Sequence, residues 1–318
     1  MFVNEILDLA RLRLDDVVKD AKGNYLWGDT ELLVYFNEAQ RELARKSRCL
    51  YDSSTSAICT YDVYPGLPTL SIDRRIVEIN AAYLTNSQRP LFRKPVKYFD
   101  SHIALWGWQS IGWRSVQEMP IYYIPNYEPS KLRFYPYYPT TYQSVVYIIT
   151  GASNVTFANT GTLTGTISYA TGGLLTLFPS GTHLLVSGTS NNNVALVSAG
   201  GTQTLLNVTG TVISEASTSA ALTKKIDTLN LEVARLPLID VAIADISIKE
   251  PEVDDDYHVN LVDGILSRAY LKRDSETYNL QEATKFRTIW DSFISDVKND
   301  QIIIGEDDTV FEPSYGAI

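Results

Sequence analysis

Cysteine, methionine and histidine are scarce: two, two and three copies in 318 residues. Cys49 and Cys59 could pair, but so little cysteine reads as a chain made in a reducing cytosol with free thiols, and its length needs no covalent staple. No Cys/His spacing suits a metal, and no cofactor is expected. No run of eighteen apolar residues occurs and the opening Met1-Phe2-Val3-Asn4-Glu5 has no basic or apolar leader pattern, so a soluble, non-membrane protein is expected. Cations are in the minority at a net charge of -10, which disfavours tight nonspecific binding of DNA and leaves open an acidic wall beside it. A nucleophile elbow, a Walker lysine with its phosphate-cradling loop and an H-E-x-x-H helix are all missing, so no enzyme is expected.

What the chain does have is organised around residues 27–47. Leu32, Phe36, Ala39 and Leu43 recur in steps of three and four, one stripe of an α-helix. Asp29 stands where an N-cap is wanted, Glu31 follows in the first turn, and Arg45, Lys46 and Arg48 crowd the other end. An earlier helix is expected over residues 3–18 from Phe2, Ile6, Leu9 and Leu12. Strands are expected around Ile58–Tyr64 and Arg75–Leu84, with a β-hairpin of Met119–Ile124 and Lys131–Pro136 in which Arg133 faces solvent. Fourteen aromatics lie in residues 98–147. Only Arg114, Lys131 and Arg133 are cations in that window, so packing or a subunit interface is favoured over stacking on nucleic acid.

Residues 151–223 are a different material. Ser, Thr, Gly and Asn dominate, ten of the eighteen glycines fall here, and Glu215 is the only charged residue if His183 is neutral. Short β-branched runs separated by turn residues predict an all-β barrel or sandwich, with disorder as the rival. The body then resumes with a strand, Leu229–Val233, expected to pair with Val145–Ile149 across the insertion. Two apolar stripes follow, Tyr257-Leu261-Ile265-Ala269 and Leu280 to Val297, the pattern of an αα-hairpin. Of the histidines, His102 near Asp100 is at most a general-base candidate, and His258 is expected in a helix's first turn. Asp254–Asp256 lack the spacing of a calcium loop and read as an acidic helix start.

The letters Trp27, Asp29, Glu31, Leu32, Leu33, Tyr35 and Asn37-Glu38-Ala39-Gln40 resemble the opening helix of bacteriophage head-to-tail adaptor proteins. Arg89-Pro90-Leu91, Leu132-Arg133-Phe134-Tyr135-Pro136, Tyr257-His258 and Arg268-Ala269-Tyr270 follow in the order that family shows. The resemblance covers about residues 1–150 and 225–300, and Val186–Asn192 resembles small β-modules of phage tail proteins. It implies a helical adaptor body over 1–150 and 224–300 with a small antiparallel sheet; with the β-module inserted over 151–223 and a docking tail over 301–318, both read from composition, an α+β fold is expected. It further implies a non-enzymatic virion protein in a dodecameric ring beneath the portal protein. That ring would join the next tail component, nozzle or tail tube, and pass genomic DNA without binding it. Ile302, Ile303, Ile304, Phe311, Tyr315 and Ile318 are the expected contacts with portal or neighbour. The alternative is a tail-associated binding module whose β-domain docks tail fibres or recognises a host-surface glycan.

Overall fold

The computed structural model describes residues 1–19, 23, 25–86, 88–102, 112–139, 146–169, 178–202, 204–273 and 277–306; at 102, 146–154, 217–219 and 302–306 it describes the backbone alone. The chain mixes helix with largely antiparallel sheet. It divides into two compact units, one of Met1–Asp52, Arg74–Asn80 and Val233–Ile318, the other of Ser53–Asp73 and Ala81–Glu232.

The first unit is a helical bundle. Helix α1 (Val3–Arg13) stops five residues before its expected end. Asp15 takes a left-handed φ of 59° and Asp16 turns inward to meet Arg11. Helix α2 (Asp29–Ser47) is the organising helix. Its N-cap is Gly28 and not Asp29, because the Asp29 carboxylate is occupied, accepting from Arg11 Nη2 at 2.5 Å. Strand β1 (Tyr51–Asp52) follows α2. Leu32, Phe36, Ala39 and Leu43 of α2 are all fully buried, against Ile6 and Ala10 of α1 and against two later helices.

The second unit opens with the one-turn helix α3 (Ser56–Cys59), β2 (Thr60–Val63) and β3 (Thr69–Ser71); β4 (Ile76–Leu84) runs through both units. Strands β5 (Arg89–Pro90) and β6 (Phe92–Arg93), helix α4 (Val96–His102), and strands β7 (Tyr122–Glu128) and β8 (Lys131–Tyr135) complete its first part, with sheet order β3-β8-β7-β6. The expected hairpin is thus β7–β8, pairing Tyr122 with Tyr135 and Tyr123 with Phe134. Phe99, Trp113, Tyr122 and Tyr135 pack ring on ring at centroid distances from 4.6 to 6.4 Å, so part of the dense aromatic stretch is core.

Six strands then close a barrel in the order β10-β13-β12-β11-β14-β9. They are β9 (Val146–Gly161), β10 (Thr164–Tyr169), β11 (His183–Ser187), β12 (Ala195–Gly201), β13 (Leu205–Thr209) and β14 (Glu215–Lys224). Phe157, Ile167, Phe178, Leu184, Val186, Leu206 and Leu222 are almost wholly enclosed in one core. Closure leaves no open sheet edge, so backbone donors find partners without charged side chains.

The pairing expected across this insertion does not form. Tyr147–Ile149 of β9 lie opposite Ala220–Leu222 of β14, while β15 (Asp227–Arg235) pairs Leu229 with Tyr61 of β2 and Val233 with Asp52 of β1. The long β9 meets β14 as part of its own barrel wall, and Asp227–Asn230 are left to the edge that β2 offers.

The first unit ends with α5 (Leu261–Ala269) and α6 (Leu280–Glu306). Gly264 permits their close approach to α2: a Cβ there would lie 2.9 Å from the Ala39 Cβ and 3.1 Å from the Trp290 ring. Trp290, Ile294 and Val297 are buried in the bundle core. The helix does not give way to an extended tail at Gln301 as expected but runs to Glu306, because one glycine near a helix end costs only about 1 kcal/mol against alanine.

Candidate functional site

Surfaces, more than pockets, distinguish the helical unit. Where α1 and α5 end and α2 begins, Arg11 is buried yet charged. Its Nη1 donates to Asp16 Oδ2 at 2.9 Å and to the Trp27 carbonyl at 2.8 Å, and Asp16 accepts from the backbone of Leu26 and Trp27. Trp27 Nε1 donates to the Ala269 carbonyl at 3.1 Å, tying the connection after α1 to the one after α5. Breaking one partner of such a buried pair leaves an uncompensated charge, a loss of about 3–5 kcal/mol. That clamp holds out Val17, Val18, Leu26 and Leu271, all exposed.

Toward the C-terminal end of α2, Glu42 is a hub. It accepts from Arg268 Nη2 at 2.5 Å, Arg287 Nη2 at 2.5 Å, Trp290 Nε1 at 3.2 Å and Lys46 Nζ at 2.7 Å. Burial alone would raise its carboxyl, but the hydrogen bonds from Arg287, Lys46, Arg268 and Trp290 outweigh that and hold it far below the usual carboxylate range. Beside it, Glu38, Arg41, Arg45, Lys46 and Arg268 complete the lining of an open groove of about 380 Å³. Sequence reading missed this groove. Arg45 and Lys46 registered only as cations suited to a helix end, and nothing local in the sequence announced that Arg268 and Arg287 return to the same carboxylate.

Of the residues expected to make contacts, Ile302, Ile303 and Ile304 fall at the far end of α6. Lys46, next to the last residue of α2, meets Asp291, and α6 continues fifteen residues beyond that point, roughly 22 Å at 1.5 Å per residue. Ile302, Ile303 and Ile304 lie near its end as helix backbone. Phe311, Tyr315 and Ile318 lie outside the described residues.

In the second unit the root of the barrel is polar. Asp62 of β2 meets His183 Nδ1 and Lys225 Nζ, each at 2.6 Å, next to where β11 starts and β14 ends. The buried Asp227 accepts from the Tyr138 hydroxyl at 3.1 Å and the Asn86 backbone at 2.8 Å. At another barrel loop Glu215 accepts from the backbone of Ser190 and Asn191 and from Asn192 Nδ2, all at 2.9–3.0 Å.

Two sequence readings change here, those of Arg133 and His258. Arg133 is not on the surface: it is buried, its Nη2 donates to the Arg114 carbonyl at 2.6 Å, and the Trp113 and Tyr127 rings flank the guanidinium. Strand β8 is covered on both faces, so alternation could not separate inside from outside. His258 precedes α5, buried, with Nε2 3.0 Å from the Val253 carbonyl, while Asp254 caps a single 3₁₀ turn before it. Asp100 accepts from Trp113 Nε1 at 2.7 Å, a use other than orienting His102. Among the described residues no group of three or more His, Cys, Asp and Glu is placed to hold a metal, and no helix is long and apolar enough to cross a membrane.

The family model described as SU10 adaptor protein matches residues 1–181, more than half of the 318. A comparison with curated proteins finds no match.

Proposed function

Because the chain belongs to the SU10 adaptor protein family, a family of phage head-to-tail adaptors, we propose that it forms a ring beneath the portal and continues the DNA channel toward the tail. It is a phage structural protein whose family implies a place in the virion and contacts with portal and tail components. The match over residues 1–181 carries this reading. The end of α6 supports its contact side: the helix carries Ile302–Ile304 close to its end, next to a segment with Phe311, Tyr315 and Ile318 that a portal or neighbouring subunit can receive. A net charge of -10 suits a conduit that must release DNA. Twelve copies and a nozzle or tail tube as the next component complete the proposal, and its role is geometric, without catalytic turnover.

Electron microscopy of tails, or of reconstituted portal complexes, is expected to show this chain as a ring in the neck. A single copy, or a position outside the neck, overturns the reading. A second reading rests on the closed barrel with its own core. Such a module is suited to docking tail fibres or a host-surface glycan, and glycan arrays together with adsorption of phage carrying a Gly-Ser turn in place of residues 151–223 test it.

A further inference from the structure

The groove on α2 is lined by charged residues alone. Four cations and two carboxylates line it, in a protein of net charge -10. Most of its cations already have partners: Arg41 meets Asp240 at 2.6 Å, Lys46 meets Glu42 and Asp291, and Arg268 meets Glu38 and Glu42. Arg45 is exposed on the same side and has no ion-pair partner among the described residues. The groove therefore offers one unmatched guanidinium flanked by two half-exposed cations, a surface complementary to an acidic segment.

We propose that this groove receives the acidic run Glu306-Asp307-Asp308 of a second copy of the chain, making it one side of a head-to-tail contact between subunits. The proposal rests on the reading that the C-terminal segment docks, and it names the surface that receives it. The charge of this segment is complementary to Arg45, and the geometry of α6 excludes the same copy as donor. Glu306 lies roughly 22 Å of helix beyond the level of Lys46, and two further residues reach at most about 7 Å, so the run cannot return to its own groove while α6 is intact. Arg41 and Arg45 lie on the side of Lys46 away from that end, which lengthens the gap. A groove on one copy and a segment on the next are different patches, the arrangement that closes into a ring when the rotation allows.

The test is self-association of the full-length chain by analytical ultracentrifugation, with portal binding and duplex-DNA binding measured on the same samples. Arg45→Glu and the pair Asp307→Lys with Asp308→Lys are each expected to weaken self-association about tenfold or more, and all three substitutions together to restore it to within about threefold. Raising ionic strength from about 0.1 M to about 1 M shortens screening from about 10 Å to about 3 Å and should weaken the wild-type contact alike. Arg45 is exposed and unpaired, so its variants should melt as the wild type does, and Arg45→Ala provides a milder second variant. A wild-type chain that is monomeric up to about 100 μM overturns the proposal, a contact of about 1–100 μM being the expectation. So does a triple variant without rescue. If these fail while portal binding persists, the adaptor reading stands and this inference alone falls. Loss of portal or DNA binding by Arg45→Glu with self-association intact assigns the groove to that partner and overturns the proposal too.

Discussion

The helical bundle and the barrel both enclose full hydrophobic cores, yet they satisfy their polar groups by different chemistry. The bundle uses ions. Arg11 is buried among Asp16, Asp29 and a carbonyl, Arg235 bridges Asp52 and Glu252, and Glu42 gathers two arginines, a lysine and an indole. The barrel has closure instead, with Ser, Thr and Asn at its loops and Glu215 as its only carboxylate between residues 151 and 223. Helix ends leave unsatisfied backbone groups and present long side chains that can reach one another, whereas a closed sheet consumes its own donors and acceptors. The stability of the bundle should therefore respond to pH and salt, and that of the barrel mainly to packing.

The largest effect expected is on the barrel. Phe157 is 1 % exposed in its core, and Phe157→Ala should cost about 3–5 kcal/mol of barrel stability through lost burial and a cavity. Thermal unfolding followed by far-ultraviolet dichroism should show the helical signal largely retained as the barrel melts. Simultaneous loss of both signals would make the barrel part of one cooperative core and end the comparison.

Next comes Glu42→Gln, which strands Arg268 and Arg287 beside a neutral amide. Because the site is partly exposed, the loss should be below that of a fully buried pair, about 2–3 kcal/mol by chemical denaturation. The pH dependence has a definite sign. A carboxyl held below its ordinary value of about 4.3 contributes its stability above that pH and loses it as pH falls through the depressed folded value. Asp291 is depressed too: burial opposes its charged form, but Arg287 and Lys46 prevail. Acidification from neutral pH to below pH 4 should thus destabilise the bundle more than the barrel, and Glu42→Gln should flatten that dependence. Equal acid sensitivity in both would contradict the account.

A smaller effect sharpens the packing side. Gly264→Ala places a methyl against Ala39 and the Trp290 ring, so the bundle should lose about 1–2 kcal/mol although alanine is the better helix former. A stabilised variant would mean that α5 shifts freely.

How much of this is legible in the sequence follows the same division. The stripe of Leu32, Phe36, Ala39 and Leu43 names a buried face because helical period is local, and turn punctuation between β-branched runs names the barrel. Partners distant in sequence are not legible: chain order suggests β9 as the neighbour of β15, but strand pairing depends on which edge remains free. Alternation puts Arg133 outside because it assumes one wet face. The Glu42 hub needs Arg268 and Arg287 to come back over 220 residues later, and no spacing in a single sequence encodes that return. Composition marks the C-terminal residues as contacts, and the end of α6 gives Ile302–Ile304 a position without showing what covers them.

The smallest effect belongs to the barrel's one carboxylate, where the comparison is at its most exposed. Desolvation would raise the Glu215 carboxyl, but the backbone donors of Ser190 and Asn191, followed by Asn192, prevail and hold it low. The group lies at the surface, so the carboxylate organises the loop after β11 and contributes little to the core. Glu215→Ala should speed amide exchange at Ser190 and Asn191, which lose their acceptor, while exchange at Leu184, Val186 and Leu222 inside the wall stays slow. Asn192 keeps part of the loop in place, since its side chain also accepts from the Ile213 backbone at 2.8 Å and donates to the Ile213 carbonyl at 2.9 Å. Faster exchange spreading through all six strands would show that a single ion supports the whole barrel, and the contrast with the ion-rich bundle would then be one of number and not of kind.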